Sequence, residues 1–254
     1  MHYYRYILLF VLPVLTSVQA QREVYPYPDN SLDMDQYASI GIPDMNRNWK
    51  PVDFETVFAI LDELYAEDKT ALPRADSPYS GELFTQLASA DNFLAQPDLA
   101  RRLFLLESAQ DIPRRLLLYY LEPEHQTERF GAEVLSLRLL DYQIQSALAR
   151  HYDQLLLDHP TAFQHARVTQ KISHLHQRRD RSLEILLRIL EEEATRYAPV
   201  AVVEFLNKLY FLLPDEIDEA QRARVRQRLF PLESNFPYAT ARPIISELRL
   251  VLKG

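Results

Sequence analysis

The stretch TAFQHARVTQKISHLHQRRDRSLEILLRILEEEATRY, residues 161–197, contains neither Gly nor Pro. Its apolar positions Val168, Ile172, Leu175, Leu183, Leu186, Leu190, Ala194 and Tyr197 fall mostly three or four apart. That spacing predicts one stripe of a 3.6-residue helix, which other helices must cover. Lys171, Arg178, Arg181, Glu184, Arg188 and Glu192 lie off the stripe, and the steps of four from Glu184 to Arg188 to Glu192 suit ion pairs along a solvated face.

The preceding segment has the same character. Thr127 is positioned to cap a long helix to about Asp158, with Phe130, Val134, Leu137, Leu140, Ile144, Leu148, His151 and Leu155 inward. Asp158-His159-Pro160 separates the two, so an antiparallel hairpin is expected. Towards the amino terminus, Asp53 reads as a helix cap before Phe54, Val57, Phe58, Leu61, Leu64 and Tyr65. Further helix starts are expected near Ser80, at Pro97 and at Pro113. The run Leu116 to Leu121 is apolar all round and is expected in the inner core.

Towards the carboxyl terminus, a helix from Pro199 is expected to stop at Pro214. The next is expected to open with the acidic residues Asp215, Glu216, Asp218 and Glu219, and the last to run from Arg242 to Leu252. The expected fold is all-α, an antiparallel multi-helix bundle of about eight or nine helices. The alternative is an α-α superhelix of stacked hairpins, although no signature residues recur at a fixed period. Only four glycines occur in 254 residues, which disfavours a sheet protein with many tight turns.

Residues 1–20 differ from the rest. His2 and Arg5 precede the apolar run Ile7 to Leu15, and small residues stand at 18 and 20, the pattern of a secretory signal peptide. The run is short for a membrane span, and every later apolar run is broken by charges. Export to a periplasm or to the exterior is the expectation. Residues 21–52, with Tyr25-Pro26-Tyr27-Pro28, read as an extended Pro/Tyr-rich arm, and residues 53–254 as a single helical domain.

Cysteine is absent, which excludes disulfides, thiolate metal sites and thiol nucleophiles. The net charge is −8. Arg5 is the only charged residue of the leader, so its removal makes the balance −9 and sets an unfavourable field for nucleic acid. No glycine-rich phosphate loop or nucleophile elbow is present, and no cofactor or metal set is expected. The one Glu-x-x-His, Glu122 to His125, is interrupted by Pro123, whereas di-iron bundles need two such pairs. His165 and His176 would stand about 16 Å apart along one helix, too far to share a metal.

Two candidate contact features remain. Lys171, His174, Arg178, Arg179 and Arg181 form a basic cluster in an acidic protein, with arginines suited to carboxylates or phosphates. The bland reading is a helix face neutralised by neighbouring acids. Trp49, the only tryptophan, suits a binding anchor, or else a cover for the first helix. These features lead to an exported scaffold or protein-binding module of the envelope or extracellular space. The alternative is a helical hydrolase or lyase acting on an envelope or extracellular polymer, with His151, His125, Glu122 and Tyr120 as the residues that could carry acid and base chemistry.

Overall fold

The computed structural model describes residues 41–121, 129–158 and 166–253. These residues form an all-α multi-helix bundle, and no strand occurs among them. Residues 1–20, the first part of the expected arm, Glu122, His125 and Thr127 lie outside the described residues.

Helix α1, Pro51–Glu67, starts two residues before the expected cap. Pro51 occupies the first helical position, where its missing N–H costs nothing, and the Asp53 carboxylate accepts the Lys50 N–H at 2.7 Å. Asp53 therefore works inside the first turn. Of the expected arm, Pro51 and Val52 belong to α1, and Ile42 and Met45 pack against the core.

Two short helices follow, α2 at Gly81–Leu87 and α3 at Asp91–Leu94. Helix α4 spans Leu99–Ala109, with the Asp98 side chain accepting the Arg101 N–H at 2.7 Å. Pro113 lies in the first turn of α5, Ile112–Tyr120. The expectation for Leu116 to Leu121 is corrected here, because Leu116, Leu117 and Tyr120 are buried while Leu118 is 69% exposed. A helix packed on one side buries positions four apart, and Leu118 and Tyr119 fall between them.

Helix α6, Gly131–Asp158, is enclosed along its first two thirds, to Ala149. It packs against α4 and α5 on one side and against α7 and α8 on the other. From 133 to 149 it buries even Glu133, Asp141, Gln145 and Ser146. Such an enclosed helix makes the fold a bundle around a centre. Gly131 lets α6 begin close against Tyr197, since a Cβ there would approach Tyr197 Cδ1 to 3.1 Å and press on that ring.

Helix α7 runs Ala166–Arg188 and forms the expected hairpin with α6. Its last part changes pitch, to a π turn at Ile189–Glu193 and a 3-10 turn at Ala194–Arg196. The stripe explains the change. Leu186, Leu190 and Ala194 are spaced four and four, more than 3.6 per turn, and a turn with i→i+5 bonds keeps all three buried.

Helix α8, Pro199–Glu216, continues through Pro214 for part of a turn. The proline removes one donor near the helix end, while Leu213 and Ile217 remain buried on either side. Asp215 and Glu216 thus close α8. Asp218 caps α9, Glu219–Leu229, through reciprocal bonds with Gln221, Asp218 N–H to Oε1 at 3.1 Å and Gln221 N–H to Oδ1 at 2.9 Å. After α10, Leu232–Asn235, helix α11 at Arg242–Val251 packs Ile245 and Leu248 towards α8 and α9.

Candidate functional site

The basic cluster on α7 is dispersed among neighbouring acids. Lys171 Nζ pairs with Glu107 of α4 and lies 2.5 Å from the Tyr152 hydroxyl of α6, which itself donates to Glu107. Burial raises the Glu107 carboxyl, but its bonds to Lys171 and Tyr152 outweigh this and hold it below the ordinary range. Burial and the bond to Glu107 raise Tyr152; burial lowers Lys171, but its two bonds raise it further. Each group is fixed in its ordinary charge state, the opposite of what an acid, base or nucleophile at neutral pH requires.

Arg178 donates to Asp111 at 2.8 Å. Arg179 is buried between Asp180 at 3.3 Å and Asp218 at 3.5 Å, and Gln221 closes the group on Asp180 at 2.5 Å. His174 and Arg181 are exposed, and neither makes an ion pair among the described residues. The expected cluster therefore has two free members and three that join helices. Trp49 is corrected as a surface anchor. It is fully buried, stacked edge-on to Phe54 at 5.6 Å, and its Nε1 donates to the Asp44 carbonyl at 3.0 Å.

Of the residues named for an enzymatic alternative, His151 and Tyr120 are described, and they make no bond to each other. His151 is half-buried, and burial, then Arg102 and Arg150, lowers its pKa. The Tyr120 hydroxyl is buried and donates to the Pro73 carbonyl at 2.8 Å. A different histidine, His176, lies 2.9 Å from Asp153 across the α6/α7 hairpin. No group of three potential metal ligands occurs among the described residues, and no described helix is long and apolar enough to cross a membrane.

A concave feature lies between α1 and α5. Asp62, Tyr65, Arg115, Leu118 and Tyr119 line a cleft of about 290 Å³. Its floor is aromatic. Tyr119 stacks on Phe58 at 6.4 Å and meets Tyr65 edge-on at 5.6 Å. The guanidinium of Arg115 lies 3.8 Å from the Phe58 ring centre and binds both carboxylate oxygens of Glu55. The bond to Arg115 holds the Glu55 carboxyl down, and the same bond raises the arginine. The Tyr119 hydroxyl donates to Asp62, and burial, then Asp62, raises it well above the ordinary tyrosine range.

The Glu55 carboxyl and the Tyr119 hydroxyl are each held in their ordinary charge state. The volume is at the small end for an enclosed metabolite site, and Leu118 stands open on the rim. The sequence carried one signal for this cleft. Positions 112, 113, 116, 117 and 120 make one face of a helix, so Arg115, Leu118 and Tyr119 had to fall on another. By contrast, the groove between α6 and α8 has about 10 Å³, room for no more than a water.

Compared with protein-family models, curated proteins and solved structures, the chain matches none.

Proposed function

We propose that this chain is an exported helical protein of the cell envelope or extracellular space that works by binding another protein. The observation that carries the reading is the α1/α5 cleft, an open, aromatic-floored concavity with an exposed leucine on its rim. Rigid aromatic rings beside a charged pair supply much contact area at little entropic cost. The leader-like pattern of residues 1–20 supports export. His151 faces Arg102 and Arg150 instead of a carboxylate, so the hydrolase alternative gains no acid–base pair there.

The test is capture of partners by tagged residues 21–254 in extracts of the native source, beside two variants. Leu118→Gln removes the apolar rim, and His174→Glu with Arg181→Glu reverses the accessible part of the basic face. Loss of a partner in the first variant and its retention in the second is the expected result. Retention in the first would overturn the cleft as the binding surface. Turnover of an envelope polymer by the purified protein would overturn the non-enzymatic reading.

A further inference from the structure

Two polar side chains without partners come together where α7 ends and α6 begins. The Tyr197 ring rests on Gly131, the first residue of α6, and only 4% of Tyr197 is exposed. Its hydroxyl makes no hydrogen bond among the described residues and opens to the surface. Arg138 stands seven residues along α6 from Gly131, on the same face. It is half-buried and makes no hydrogen bond or ion pair among the described residues. Burial lowers Arg138, against the opposing effects of Asp141, Tyr197 and Glu193. Asp141 is already engaged by Ser182 and by Arg114 at 3.3 Å.

The surrounding charge is positive in a protein that is otherwise acidic. Glu193, at the end of the π turn, lies 3.3 Å from Arg188 and 3.9 Å from Arg196. Both arginines are more than half exposed, so these pairs are weak and open to exchange. Burial, then Glu193, raises the Tyr197 phenol, against smaller effects of Arg138, Arg196 and Arg188. The phenol therefore stays protonated and able to donate. Three guanidiniums face one carboxylate at this hydroxyl, which leaves two positive charges unbalanced.

We infer that the Arg138–Tyr197 site binds a doubly charged oxyanion of the phosphate type, with the Arg138 guanidinium and the Tyr197 hydroxyl as direct donors and Arg188 and Arg196 supplying charge from the rim. The Arg138 fork suits two oxygens of such a group. The negative pole at the end of α7 is blunted, because the Tyr238 hydroxyl lies 3.2 Å from the Ala194 carbonyl and 2.7 Å from that of Tyr197. The starts of α6 and α8 beside Tyr197 add a field of the favourable sign. This site is separate from the α1/α5 cleft and does not depend on the cleft being a binding surface.

The experiment is a 31P NMR titration of inorganic phosphate with residues 21–254 at pH 7.5. Saturable binding with Kd on the order of 1 mM is expected, weakening as sodium chloride is added. Arg138→Gln should raise Kd about tenfold and Tyr197→Phe about threefold. Glu193→Gln removes the competing carboxylate and should lower Kd about threefold, a gain that a damaged fold would not produce. Arg101→Gln removes one positive charge from an exposed position on α4 and should change Kd less than about twofold. Glycerol 3-phosphate and vesicles containing phosphatidic acid separate the sources. Binding of the first alone assigns a soluble monoester, vesicle binding lost in Arg138→Gln assigns a lipid headgroup, and binding of inorganic phosphate alone assigns the free ion.

Absence of saturable phosphate binding would overturn the inference. So would equal losses in Arg138→Gln and Arg101→Gln, which would reduce the effect to bulk charge. An unchanged Kd in Tyr197→Phe would remove the hydroxyl from the site, and a Kd not lowered in Glu193→Gln would show that the anion does not meet the Arg188 and Arg196 charges.

Discussion

Glu133 sits in an environment opposed to its ordinary charge. It is fully buried on α6, where it accepts the Ala75 N–H at 2.5 Å, and burial pushes its carboxyl from 4.5 up to about 7. The folded state therefore holds this proton more tightly than the unfolded chain. Below about pH 4.5 both states are protonated, and the group adds no penalty. As pH rises from there through 7, the unfolded chain ionises first and stability falls, by about 3 kcal/mol when the loss is complete. Glu133→Gln keeps an acceptor for Ala75 without the charge. Denaturant titrations at pH 5 and pH 8 should show the wild type losing stability relative to this variant by roughly that amount. Parallel behaviour would mean that Glu133 is ionised in the fold.

Nothing local in the sequence marks this glutamate, because its burial is imposed by a loop 58 residues away in the chain. Trp49 was legible to a greater degree. Its place before a helix start suggested either a cover or an anchor, and only the packing of Phe54 and Phe93 decides for the cover. Trp49→Ala should cost about 3–5 kcal/mol, as expected for emptying a filled aromatic site. Wild-type fluorescence should shift to the red on unfolding as the indole meets water. An unchanged denaturation midpoint for Trp49→Ala would contradict its burial.

At the scale of an element, α7 shows what periodicity reveals and what it leaves out. Its stripe appears in the sequence as written, down to the spacing that the π turn accommodates. Charge on the other face cannot be read in the same way, since a helical arginine can face water or the flank of a neighbouring helix. Arg179 and Arg181 are two residues apart, so they point to different sides. Arg181→Glu should change stability by no more than about 0.5 kcal/mol. Arg179→Glu places a carboxylate among Asp180 and Asp218 in a buried position, and should cost about 3–5 kcal/mol. Denaturation midpoints of the two single variants measure this difference, and equal midpoints would place both side chains in solvent. Helix α5 carries the same lesson. Its six-residue apolar run concealed two faces, and the candidate cleft lies on the one left outside.

At the scale of the molecule, the buried apolar residues form one connected cluster from Trp49 to Leu252. Sequence pattern supplied the helices of this bundle, but not which helix sits at its centre, because α6 has polar residues where a stripe-based reading places solvent. Asp141 accepts the Ser182 hydroxyl and lies 3.3 Å from Arg114 Nε, and Ser146 donates to Glu216 at 2.6 Å. Those bonds tie α6 to α5, α7 and α8, so neither side of the bundle has a separate core to retain when the other opens. The expected outcome is a single cooperative transition. Trp49 fluorescence reports the amino-terminal side, far-UV circular dichroism reports all helices, and the two denaturation curves should coincide. A fluorescence transition completed while most helical signal remained would show that the helices before α6 unfold by themselves. In that case α6 would serve as a shared wall between two cooperative units, and the α1/α5 cleft would belong to the less stable one.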